Sequence, residues 1–271
     1  MFLPEDCVST ILSLTSPQDA CRSSLVSSTF NSAAESDVVW ERFLPSDYQE
    51  LLLRLVNDNP LKHPTKKELF FHLCNPVLID GGRKSFKIER ASGKKSYLLS
   101  ARELSITWSD EPMYWSWKHM TDSRFAEGVE LITISWLEIH GKIRTQSLSK
   151  NTAYSAYLVM NISNRAYGLD MAPFETSVKV GNRVSYGTAC VCRHDEMKQQ
   201  NVDSDQTMKA KVFPGNEPIP SERNCGWTEI KLGEFFTGEE DEEVNISLME
   251  TKGYHLKAGL VIEGIEVRPK D

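Results

Sequence analysis

Residues 1–45 spell out three short helices that have too little apolar surface to close a core by themselves, and this limits what the rest of the chain can be. Pro4 sits where a helix can begin, because its missing N–H costs nothing in a first turn. Cys7, Val8, Ile11, Leu12 and Leu14 then recur at helical spacing. Ser16, Pro17 and Asp19 make a second start, with Ser16 as N-cap and Pro17 as first helical residue. Leu25, Val26, Phe30, Ala33 and Ala34 give the next apolar face, and Asp37 is placed to cap a third helix that buries Val39, Trp40 and Phe43. A unit of this size buries little surface, so a partner is expected to cover part of it. Pattern alone favours a plain N-terminal helical subdomain.

At 271 residues the chain suits one small and one ordinary domain. With 40% apolar and 25% charged residues it has the composition of a globular protein. No apolar run approaches a membrane span, and no secretory signal is visible, so no membrane partner is expected. Residues 1–50 hold eight acids against two basic groups and so carry most of the net charge of −7. An acidic chain without a basic stripe argues against nucleic acid as a partner.

The six cysteines (Cys7, Cys21, Cys74, Cys190, Cys192 and Cys225) are scattered, which points to free thiols in a reducing compartment. Cys190-x-Cys192-x-His194 lacks the paired spacing of structural zinc sites, so no metal and no other cofactor is expected. The Asn-Ile-Ser sequons at Asn161 and Asn245 are read as ordinary strand residues.

Residues 47–58 continue helical until Pro60 and Pro64, and Thr65-Lys66-Lys67-Glu68 is a capping-box pattern opening another helix that ends at Asn75-Pro76. Residues 46–76 are therefore expected to be a helical linker that fixes the spacing of what it joins. From Val77 the pattern turns to strands: Phe86 and Ile88, a turn at 91–94, Tyr97 to Leu99, a β-rich run from Leu131 to Ile139, and Thr152 to Ser163. Further strand patterns follow around Phe174 to Val180, Trp227 to Leu232, Val244 to Leu248 and Leu260 to Val267. Trp136 and Trp227 sit in apolar alternation and are assigned to the core. His194 to Asp205 reads as an exposed loop and Glu239 to Glu243 as an acidic turn. The fold class is therefore α+β: a small all-α unit at 1–45, the linker, and an all-β sandwich of jelly-roll type at 77–271.

The N-terminal set Leu3-Pro4, Ser16-Pro17-Gln18-Asp19-Ala20, Val26-Ser27 and Trp40 resembles an F-box. Within the β region, Ser105-Ile106-Thr107-Trp108 followed by Tyr114-Trp115-Ser116-Trp117 resembles the phloem protein 2 family of plant lectins. Matching stretches at Trp136–Ile143, Thr152–Val159, Gly226–Phe236 and Leu248-Met249-Glu250 extend the likeness over roughly 77–271. The order of the two signatures resembles the plant F-box subgroup of that family.

That resemblance implies a substrate-recognition subunit of an SCF-type ubiquitin ligase. It implies a Skp-type adaptor and a cullin as partners, with the adaptor contacted through Leu3, Pro4, Ile11, Leu12, Leu25, Val26 and Trp40. It also implies a site for N-acetylglucosamine-containing glycans on glycoproteins, made by Trp108, Trp115, Glu243 and Glu250, with Asp110 and Trp117 as neighbours. Indole rings suit the apolar face of a pyranose, and carboxylates accept strong hydrogen bonds from its hydroxyls. The location implied is cytoplasmic and nuclear, although Arg193 to Gln200 lacks the Lys-rich signal of some family lectins. No hydrolase, P-loop or dinucleotide motif is present, and no enzyme activity is expected. The alternatives are an adaptor whose β domain grips a polypeptide beside a vestigial sugar site, and an F-box protein acting outside a ligase.

Overall fold

In the computed structural model, residues 3–56, 65–191, 218–223 and 225–270 are described. Pro60, Pro64, Cys192, His194 and the loops expected at 193–200 and 194–205 lie outside them. The chain divides into two compact units, residues 1–97 and 98–271.

Unit 1 contains α1 (Glu5–Ser13), α2 (Pro17–Ser23), α3 (Ser28–Glu35), α4 (Asp37–Phe43), α5 (Tyr48–Leu53) and α6 (Lys66–Leu73), then β1 (Val77–Ile79) and β2 (Lys84–Ile88). The first two strands, expected to open the β domain, thus belong to the compact unit of the helices. Most helix starts follow the capping chemistry. The hydroxyls of Ser16, Ser27 and Thr65 accept the amides of Asp19, Phe30 and Glu68 at 3.1, 3.3 and 3.2 Å. The fourth helix is capped one residue earlier than expected: Ser36 accepts the amide of Val38 at 3.3 Å, and Asp37 is the first helical residue. Asp37 instead accepts the amide of Lys66 at 2.7 Å.

Trp40 is the hub of this unit. It is fully buried, donates its indole N–H to Ala34 O at 2.7 Å, and lies 5.6, 5.2 and 5.3 Å from the rings of Phe43, Phe70 and Phe71. Residues 46–76 thus supply α6 as the second half of the helical core.

β3 (Lys95–Ser100) runs across the division between units. Unit 2 continues with β4 (Ser105–Ile106), β5 (Trp115–His119), β6 (Glu127–Leu131), β7 (Leu137–Arg144), β8 (Thr152–Tyr167), β9 (Phe174–Val180) and β10 (Arg183–Ala189). It ends with β11 (Ser221–Glu222), β12 (Thr228–Thr237), β13 (Glu243–Glu250) and β14 (Ala258–Pro269). One antiparallel sheet runs β5-β6-β14-β8-β12-β11, and the other β10-β9-β13-β7-β4. The two face each other closely. A Cβ built on Gly141 of β7 would meet Ile265 of β14 at 3.0 Å, and one on Gly233 of β12 would meet Val178 of β9 at 2.7 Å. The α+β class holds, with helices first and antiparallel sheets after. The sequons fall on strands, Asn161 on β8 and Asn245 on β13.

The run from Leu131 to Ile139 is not one strand. β6 and β7 belong to different sheets, and residues 132–136 carry the chain between them. Crossing between sheets breaks the alternation, so Trp136, expected in the core, is 46% exposed, whereas Trp227 is buried as expected.

Candidate functional site at one end of the sandwich

Strand register places four connections together. β4 pairs with β7, Glu250 of β13 lies opposite Leu137 of β7, Met249 lies opposite Glu175 of β9, and Ala258 of β14 lies opposite Tyr167 of β8. The segments 107–114, 132–136, 168–173 and 251–257 therefore share one end of unit 2.

Trp108 is the exposed aromatic of the first segment. It is half exposed, and its backbone is left-handed with φ 56°, a conformation uncommon for a bulky residue. Hydrogen bonds on both sides hold it there. Ser109 N donates to Ile106 O at 3.2 Å and Glu111 N to Trp108 O at 3.0 Å. Two indoles of β5 reach back to the same turn: Trp115 Nε1 donates to Thr107 O and Trp117 Nε1 to Ser109 O, each at 2.9 Å. Tyr114 lies beside the Trp108 ring at 5.4 Å, and the Arg102 guanidinium covers Trp117 at 3.5 Å.

Trp115, expected as a second platform, is only 2% exposed. Its position on β5, with the N–H spent on Thr107, makes it a prop beneath Trp108.

The two expected carboxylates are at opposite ends of β13. Glu243 lies opposite Arg144 and Glu250 opposite Leu137, about 23 Å apart for seven strand steps. Glu243 is exposed, and its carboxyl is held below the usual range by the Asn245 amide at 3.0 Å and then by Lys142. Glu250 faces the core. Its Oε1 accepts Gly253 N at 2.7 Å, and its Oε2 is paired with the ammonium of Lys257. Lys257 is fully buried and also donates to Ser135 O at 2.6 Å and to His255 O at 3.3 Å. This pair ties segment 132–136 to segment 251–257. A buried ion pair is tolerated only where further hydrogen bonds support it; here two carbonyls accept from Lys257 and the Gly253 amide donates to Glu250 Oε1. Of the four expected residues, Trp108, Trp115 and Glu250 are brought to one end, and of these three only Trp108 is open to solvent.

In unit 1 the residues expected to meet an adaptor also divide. Leu3, Pro4, Ile11, Leu25 and Val26 are exposed, Leu25 at 88%, and Leu14 joins them. Leu25 and Val26 lie in the turn between α2 and α3, where no helical face buries them. Leu12 and Trp40 are core residues. Exposed apolar side chains in this number on so small a unit mark a surface for a partner.

The phloem protein 2 family model matches residues 94–269, and an F-box-like model matches residues 2–46. Among curated relatives from Arabidopsis thaliana, "F-box protein PP2-B15" is 51% identical over all of this chain and 97% of its own length. "F-box protein PP2-B13" is 51% identical over 99% and 98%, and "F-box protein VBF" 50% identical over 100% and 99%. No helix among the described residues is long and apolar enough to cross a membrane. The F-box implies binding to a Skp-type adaptor within an SCF complex, and the chain belongs to the phloem protein 2 family as one of its F-box proteins.

Proposed function

We propose that the chain is the substrate-recognition subunit of an SCF-type ubiquitin ligase and that unit 2 reads an N-acetylglucosamine-containing glycan on a glycoprotein. Leu3, Pro4, Ile11, Leu25 and Val26 supply the contact for the Skp-type adaptor, which connects the chain to a cullin. The chain acts as an adaptor in the cytoplasm and nucleus, and other subunits carry out ubiquitin transfer.

The observation that carries the glycan reading is Trp108: a rigidly held, half-exposed indole at the end of a sandwich of the lectin-like family. A rigid aromatic face stacks on a sugar at low entropic cost. A glycan array probed with the full chain and with its Trp108→Ala variant tests it. Selective binding that the variant loses supports the reading. Background binding by both proteins favours the second reading, a polypeptide substrate beside a vestigial sugar site. One observation favours that second reading: the two family carboxylates do not share the Trp108 end.

A further inference from the structure

β7 presents a polar row to which the family resemblance assigned no binding role. Leu137 and Ile139 are fully buried, while the alternate residues Trp136, Glu138 and His140 reach the outer surface of the second sheet. Glu138 has company of a particular kind. Thr107 donates its amide to Glu138 O at 3.1 Å and its hydroxyl to Glu138 Oε2 at 3.3 Å, and His140 Nε2 is 3.8 Å from the same oxygen. Glu138 Oε1 accepts no hydrogen bond among the described residues.

The residue that follows Thr107 is Trp108, so the exposed indole is one residue from the partner of Glu138. On the other side Trp136 is two residues from Glu138, about 6–7 Å along the chain. Glu138, with one carboxylate oxygen hydrogen-bonded and the other not, is thus two residues from one exposed indole and bonded to the chain neighbour of a second, at one end of the sandwich. A sugar needs this combination: apolar faces to stack on, and a charged acceptor for paired hydroxyls.

We propose that Glu138 is the polar anchor of the glycan site, with Trp108 and Trp136 as the platforms on either side. The assignment rests on the glycan reading above and names different contacts from those implied by the family motif. Glu250 and Trp115 shape the site from beneath.

Isothermal titration of the full chain with the β-1,4-linked trimer of N-acetylglucosamine tests the assignment, alongside Glu138→Gln and Trp136→Ala. Both substitutions are at the surface, and melting temperatures check that the variants fold as the parent does. The expected result is a loss of affinity of tenfold or more in each. Trimer binding by the parent chain, with either variant within twofold of it, overturns the assignment and leaves the glycan reading intact. A parent chain that does not bind the trimer removes the glycan reading for this sugar and the assignment with it.

Discussion

The indole N–H of Trp115 donates to the backbone carbonyl of Thr107 at 2.9 Å, so a buried tryptophan fixes the residue next to the exposed Trp108. Trp115→Phe keeps most of the ring and removes the donor. It is expected to cost about 1–2 kcal/mol of stability through the carbonyl left unpaired. It is also expected to weaken trimer binding about tenfold as the turn loosens. Trp227 serves as the comparison, being equally buried with its N–H on Asp122 O at 2.9 Å. Trp227→Phe should lower the melting temperature similarly and leave binding unchanged. Melting curves and titrations on the two variants separate positioning from simple stability.

Glu243 is a test of geometry against motif. It lies at the far end of β13, about 23 Å from Glu250. Glu243→Gln is expected to bind the trimer within twofold of the parent chain. A tenfold loss would place the sugar on the opposite end of the sheet and remove Trp108 as its platform.

Glu250 has a structural role that the substitution Glu250→Gln exposes. The change leaves the fully buried Lys257 ammonium without its counter-charge. Breaking such a pair by removing one partner costs about 3–5 kcal/mol. Chemical denaturation should show this loss, with a drop in trimer affinity as the unpaired ammonium disturbs its contacts with Ser135 and His255.

The helical unit has a pH dependence of definite sign. Arg54 holds the Asp80 carboxyl at about 2 through paired hydrogen bonds of 2.8 and 2.9 Å, with Lys84 adding to the effect. A lowered carboxyl stabilises the fold above its unfolded value near 4 and loses that contribution as pH falls toward 2. Because the pair is partly exposed, the contribution is about 1 kcal/mol. Asp80→Asn should therefore destabilise by that amount at pH 7, and the difference from the parent chain should shrink as pH falls from about 4 toward 2 in denaturation measured across that range.

The class of each region was legible because capping and alternation are local. Ser16, Ser27 and Thr65 cap where hydroxyl chemistry places them, and the alternation in β7, β9 and β13 matches their buried and exposed faces. Trp136 was misread because its apolar neighbours look like one strand, while the chain there crosses from one sheet to the other, a tertiary event with no local signal. Trp40 and Leu12 could not be told from contact residues, since core and partner surfaces use the same side chains. The separation of Glu243 from Glu250 was countable in advance, because seven residues of a strand cannot fold back. The burial of Glu250 depends on Lys257, whose role no spacing reveals.

The central claim is that unit 2 recognises sugar on a glycoprotein. The most direct test is capture of plant glycoproteins by the full chain bound to its Skp-type adaptor, before and after enzymatic removal of their N-linked glycans. The account predicts that capture is lost on deglycosylation, is competed away by the N-acetylglucosamine trimer, and fails with Trp108→Ala. Capture that survives deglycosylation, unaffected by the trimer, would contradict it and assign unit 2 to a polypeptide.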